Sequence, residues 1–159
     1  MLNIDIIEKP KKNIDREIKV YGTTDIIEIA EVQAIRNAMR EHLIFIGLDR
    51  ANNVRNITLL GIGTTGEVSI DTKEIIRIAL MSASEKVVLV HNHPSNNLTP
   101  SKPDIYISNY TNQLLKAFHI EFTDHIIVTE NEYISMHKAK KIDRNYEDDL
   151  LKEMNTTLL

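Results

Sequence analysis

The stretch KVVLVHNHPSNNLTPSKPD, residues 86–104, decides how the rest of the chain is read. Val87-Val88-Leu89-Val90 is an apolar run of buried-strand length, and it ends in His91-Asn92-His93-Pro94. Side chains at i and i+2 of an extended segment point the same way, so His91 and His93 share a face. Pro94 biases His93 away from helical geometry and keeps the pair extended. Ser101-Lys102-Pro103-Asp104 then has the form of a helix start. Two imidazoles from a strand end and one carboxylate from a helix's first turn make a three-ligand metal site. Three ligands leave a fourth position for water, which is the catalytic arrangement for zinc. The competing reading is structural: core histidines with satisfied hydrogen bonds, and Ser101-x-x-Asp104 as a capping pattern. The two are compatible, because a helix start fixes the direction of the carboxylate.

Working outward, the elements on both sides alternate between the two periodicities. Residues 1–22 read as a lead-in with short strands at Ile4–Ile7 and Ile18–Tyr21. Gly22-Thr23-Thr24-Asp25 suits a turn and helix cap, followed by one amphipathic helix over Ile26–Met39. Residues 41–48 form a nearly continuous apolar run, as expected of a strand buried on both faces. A second strand is expected over Val54–Gly61, then a loop over Gly61–Gly66 and a short extended piece at Val68–Ile70. Asp71 caps a helix to about Ala83, with Glu74 completing a capping-box pattern. Beyond the strand Lys86–Val90 and the loop Ser95–Pro100, a helix runs from Lys102 to about Phe118. Its expected inward row is Ile107, Tyr110, Leu114 and Phe118, flanked by Thr111 and Leu115. Phe122–Thr129 and Tyr133–Met136 read as a strand pair around the turn Glu130–Glu132. Residues 143–159 form a polar tail with Leu150, Leu151, Met154 and Leu158 at helical spacing. The expected organisation is one mixed α/β domain over residues 23–142, with helices packed against one sheet.

A chain of 159 residues is long enough for one self-sufficient core, and 42% hydrophobic with 26% charged residues argues against disorder. Cysteine is absent, which excludes disulfides, thiolate metal sites and cysteine nucleophiles. No apolar run reaches the length of a membrane span or signal peptide, so a cytoplasmic protein is expected. The formal charge of −4 does not favour DNA as a partner, because phosphate contacts call for a basic excess. The clusters Lys9-Lys11-Lys12 and Lys138-Lys140-Lys141 lie at the edges and read as solvated surface.

Water activated at such a metal site needs a base to take its proton and pass it on. Glu41 is the upstream candidate, because it stands at the start of a buried strand, where an ionisable group costs stability unless paired or functional. A carboxylate merely exposed at a strand end is the alternative. Glu67, Glu74 and Glu85 sit at loop or helix positions that solvation explains.

Glu41, followed fifty positions later by His91-x-His93-Pro94-x6-Ser101-x-x-Asp104, resembles the JAMM metalloprotease signature of JAB/MPN domains. Within that superfamily the wording is similar to bacterial RadC-like proteins: Glu41-His42-Leu43, Val90-His91-Asn92-His93-Pro94-Ser95-Asn96, Thr99-Pro100-Ser101-x-x-Asp104 and Asp124-His125-Ile126-Ile127. The likeness covers roughly Thr24 to Met136. It implies a cytidine-deaminase-like curved mixed sheet flanked by helices, with one zinc per chain held by His91, His93 and Asp104. It also implies Glu41 as general acid/base, Ser101 as a stabiliser of the oxyanion, and hydrolysis of a peptide or isopeptide bond in a peptide or protein substrate. Two departures stand out. Asn96 replaces the family's usual glycine, and asparagine is the residue other than glycine most at ease with positive φ. The N-terminal helical region of full-length RadC-like proteins is not expected in a chain of this length. Asp124-His125 matches the family wording outside the metal set and reads as structural, with a supporting role behind the ligands or beside the substrate as the alternative.

Two other function classes compete. RadC-like proteins carry a DNA-repair label, which would make the chain a DNA-transaction accessory. An MPN-like interaction domain without catalysis is the other, although such domains typically lose ligands and all are present here. An HNH-nuclease reading fails because that motif's residues are dispersed, and zinc deaminases require a cysteine ligand pair.

Overall fold

The structure, a computed structural model, describes residues 17–63 and 71–144. Nine elements follow in chain order: α1 (Thr23–Ile27), α2 (Ala30–Ile35), β1 (His42–Leu48), β2 (Val54–Ile62), α3 (Thr72–Met81), β3 (Lys86–Asn92), α4 (Lys102–Ala117), β4 (Glu121–Val128) and β5 (Tyr133–Ser135). The expected strand at Ile4–Ile7, the extended piece at Val68–Ile70 and the leucine-bearing tail lie outside the described residues. Among the described residues no helix is long and apolar enough to cross a membrane.

The five strands form one mixed sheet in the order β2-β1-β3-β4-β5. β1 runs antiparallel to both β2 and β3, β3 and β4 are parallel, and β5 returns antiparallel on β4. A parallel pair needs a crossover, and α4 supplies it. β1 and β3 are central strands, and six of the seven residues of each are buried, as continuous apolar runs require when both faces are covered. The alternating side chains feed two cores. Ile44, Ile46, Leu48, Val88 and Val90 face Ile26, Ile27, Val32 and Ile35 of α1 and α2. Leu43, Phe45, Val87 and Leu89 share the other core with Ile75 and Ala79 of α3 and Leu115 of α4.

Three expectations are corrected. The single helix over Ile26–Met39 is two short helices, α1 and α2, interrupted at Ile29, whose backbone is extended (φ −63°, ψ 131°). At 100° per residue, Ile26, Ile27 and Ile29 would spread over too wide an arc for one straight helix to bury them all. The break turns each of them into the core. On α3, Asp71 caps the helix by accepting from the Lys73 N–H, but the Glu74 carboxylate pairs with Arg77 instead of closing a capping box.

The third correction concerns α4. Phe118 is 48% exposed, and Ile107, Tyr110 and Leu114 are only partly buried. The buried face carries Ser108, Asn109, Thr111, Asn112 and Leu115, a helix rotated by about a quarter turn from the apolar reading. Specific bonds account for it. Asn109 accepts from the Asp143 N–H, Asn112 accepts from Arg144, and Ser108 enters the histidine cluster described below.

Gly47 on β1 shows how tightly this sheet is covered. A Cβ at that position would lie 2.0 Å from Ser84 Oγ and 3.0 Å from Phe45 Cε1. Gly47→Ala is therefore expected to lower stability by about 1–3 kcal/mol, the range for overpacking, measured by urea or thermal unfolding.

Candidate metal centre

β3 continues beyond its apolar run through His91 and Asn92, so the strand pattern carries directly into the histidine pair. His91 lies on the face covered by α3 and α4, and the first turn of α4 delivers Asp104 to the same place. One nitrogen of His91, one of His93 and one oxygen of Asp104 lie within 4.8 Å of one another. His91 Nε2 is 2.8 Å from His93 Nε2 and 3.3 Å from Asp104 Oδ1, and His93 Nε2 is 3.5 Å from Asp104 Oδ2. A tetrahedral zinc with bonds of about 2.0–2.1 Å needs donor atoms about 3.3 Å apart. Both Asp104 separations already suit it, and the imidazoles need to part by only about half an ångström. Two nitrogens and a carboxylate oxygen are also the donor types zinc takes, so the group can hold a metal ion.

The electrostatics favour a cation. Burial pushes the Asp104 carboxyl up, but hydrogen bonding to His91 and His93, the electrostatic influence of His91 and the Ser101 hydroxyl outweigh it and hold the group well below the usual carboxylate range. Burial likewise lowers His93, yet bonds to Asp104 and the Asn97 carbonyl, with the charges of Asp104 and Glu41, leave it raised above its ordinary value. The His93 Nδ1 sits 2.6 Å from the Asn97 carbonyl oxygen, which can only accept. Nδ1 therefore carries a proton and Nε2 is directed to the centre.

Asp104 is fixed by the helix start. The Ser101 N–H and Oγ–H both donate to Asp104 Oδ2, at 2.7 and 2.6 Å, while Ser101 Oγ accepts from the Asp104 N–H. The capping box and the candidate ligand are the same residues. Pro103 fits in the first turn, where no intrahelical N–H bond is lost.

Glu41 stands immediately before β1, half-buried, with its carbonyl accepting from the Gly63 N–H. Leu43 pairs with His91, so continuing the register puts Glu41 beside His93. Asn92, between the two histidines, points to the opposite face and is fully buried. Its Oδ1 accepts from the His42 N–H, and its Nδ2 donates to the carbonyls of Ala38 and Arg40. Three hydrogen bonds bracket Glu41 and tie its segment to the strand that bears the histidines. Sequence reasoning gives Asn92 no role, although a polar residue in the continuation of a buried strand is a signal that could have found it.

Asn96 adopts φ 57°, the left-handed conformation that glycine takes readily and asparagine tolerates. Its Oδ1 also faces the Glu130 N–H at 3.4 Å, a contact glycine could not make.

His125 and Asp124 separate in role. Asp124 accepts from the N–H groups of His125 and His137 and from the Ser135 hydroxyl, tying β4 to β5 and the turn after it. His125 is 1% exposed and lies against His91, with Nε2 at 2.7 Å from His91 Nδ1. Burial, together with the neighbouring His91, holds its pKa well below the ordinary histidine value.

A family model described as the RadC-like JAB domain matches residues 22–142, which takes in every residue of this centre. A UPF0758 protein of Fusobacterium nucleatum is 34% identical over 131 residues, covering 80% of this chain and 55% of its own length. A UPF0758 protein of Coprothermobacter proteolyticus is 28% identical over 129 residues, 79% of this chain and 55% of its own. Another from Methanococcoides burtonii is 33% identical over 122 residues, 77% of this chain and 53% of its own. The chain thus spans about half the length of the curated relatives it matches. By sequence match and by its five-stranded mixed sheet flanked by helices, the chain belongs to the RadC-like JAB domain family.

Proposed function

We propose that the chain is a zinc-dependent hydrolase of the JAMM type that cleaves a peptide or isopeptide bond. The observation that carries the reading is the convergence of His91, His93 and Asp104 from a strand end and a helix's first turn. Three protein ligands leave one position for solvent or substrate. Zinc bound there supplies a Lewis acid that lowers the pKa of water to about 7 and polarises a carbonyl.

The chain's own residues account for the remainder. His91 and His93 present Nε2, and Asp104 presents an ionised carboxylate braced by Ser101. Glu41, registered beside His93 and held there through Asn92, is the group to accept a proton from the attacking water and deliver it to the leaving nitrogen. Ser101 is the candidate donor to the oxyanion. Its hydroxyl has one proton, which is given to Asp104 Oδ2 in this structure, so that role requires the hydroxyl to turn away from Oδ2.

The test is metal analysis of the purified full chain, zinc titration, and mass spectrometry of peptide and isopeptide mixtures incubated with it. One zinc per chain and new amide-cleavage products that vanish with a chelator are expected. Equal metal content in wild type and His91→Ala would overturn the reading.

A further inference from the structure

A hydrogen-bonded chain runs behind His91, away from the metal position. His91 Nδ1 lies 2.7 Å from His125 Nε2, His125 Nδ1 lies 2.7 Å from Ser108 Oγ, and Ser108 Oγ donates to the Asp104 carbonyl oxygen at 2.6 Å. His91, His125 and Ser108 are all buried, at 4%, 1% and 0% exposure, so water does not substitute for any of these partners. We propose that His125 and Ser108 are positioning residues of the metal centre, holding His91 in the tautomer protonated at Nδ1 with Nε2 bare toward the ion. The proposal rests on the metal reading above.

The polarity of the chain follows from its last member. A carbonyl oxygen only accepts, so the single Ser108 proton lies on the bond to Asp104. Ser108 then turns a lone pair to His125 Nδ1, which must donate. The two ring nitrogens of His125 meet a histidine and a hydroxyl, with no carboxylate on either, and a fully buried imidazole without a counter-charge stays neutral. A neutral imidazole has one N–H, here on Nδ1, so Nε2 accepts. His91 Nδ1 is left as the donor, and its Nε2 lone pair is free for the ion.

The same chain joins the two elements that bear ligands. It leaves β3 at His91, passes through β4 at His125, enters α4 at Ser108, and ends on the backbone of Asp104. The strand end and the helix's first turn are thereby held together through the core as well as across the site. Ligating histidines usually give their second N–H to a carboxylate, a carbonyl or water. His93 follows that habit with the Asn97 carbonyl. The partner of His91 is a second, neutral histidine, which orients the ring without adding negative charge behind it.

The experiment compares zinc affinity, by chelator competition, and His91 ring ¹⁵N shifts across variants of the full chain. His125→Phe keeps a ring but removes both polar atoms, and is expected to weaken zinc binding about 10–100-fold, the usual range for partners behind a ligand. His125→Gln, whose terminal amide reaches the Nε2 position, is expected to recover affinity to within about threefold of wild type. Ser108→Ala removes the terminal link at small volume cost, and is expected to weaken binding about tenfold and to mix the His91 tautomers. A folded His125→Phe protein with wild-type zinc affinity would overturn the proposal. Should that variant fail to fold, Ser108→Ala decides: wild-type affinity and unchanged His91 shifts overturn it, since a purely structural serine would alter only stability. No zinc binding by the wild type would overturn the metal reading itself, and is thus distinguishable from failure of this proposal.

Discussion

Asp104→Ala is expected to abolish tight zinc binding and, through a separate mechanism, to cost about 1 kcal/mol of stability. The first effect follows from the ligand set: two imidazoles 2.8 Å apart keep no anionic ligand for a dication once Asp104 is gone. The loss should exceed the roughly 10–100-fold expected for a partner behind a ligand. The second effect follows from the helix start. Asp104 accepts two hydrogen bonds from Ser101, and its removal leaves those donors to solvent. Asp104→Asn separates the two. An amide oxygen can still accept from Ser101, so the cap survives in part, but the neutral group is a poor zinc ligand. Zinc titration should find both variants deficient, whereas urea unfolding of the metal-free proteins should place Asp104→Asn nearer to wild type than Asp104→Ala. If Asp104→Ala binds zinc as wild type does, Asp104 is a capping residue alone.

The double duty of Asp104, cap and candidate ligand, is one reason so much of the centre was legible in the sequence. Val87–Val90, His91, His93, Ser101 and Asp104 each follow a local rule: a buried strand's composition, a period of two, or a helix cap with proline in its first turn. Asn96 was legible for the same reason, since positive φ is a local property. The break at Ile29 was not, because a helical period fits Ile26–Met39 locally and only the demands of the core on α1 and α2 interrupt it. The face of α4 escapes a hydrophobic pattern because its inward positions are polar. Ser108, Asn109 and Asn112 are satisfied by His125, Asp143 and Arg144, partners that a hydrophobic pattern does not reveal. Asn92 and His125 share this character. Asn92 bonds to a residue 50 positions away and His125 to residues 34 and 17 positions away, so their identity carries the chemistry and their spacing carries none.

Glu41→Gln is expected to leave zinc content and the unfolding midpoint close to wild type while lowering kcat by about 10²–10⁴-fold, the contribution typical of a positioned general base. The near-isosteric amide keeps the length of the side chain and the backbone contacts around it. The Gly63 N–H still reaches the residue 41 carbonyl, and Asn92 still bonds to residues 38, 40 and 42. What is lost is the negative charge and, with it, the ability to take a proton. The placement makes the demand specific. Glu41 registers beside His93, its charge already acts on that imidazole, and three hydrogen bonds from one buried asparagine fix the segment that carries it. A carboxylate that served only as a solvated strand end would not change turnover when made neutral. The measurement is turnover of whichever peptide or isopeptide the wild type cleaves, at saturating zinc, with KM determined alongside. A fall in kcat at nearly constant KM and metal content identifies a group that acts in the transition state and not in binding. Wild-type turnover in a zinc-loaded Glu41→Gln protein would remove Glu41 from the mechanism and leave the proton to some other acceptor.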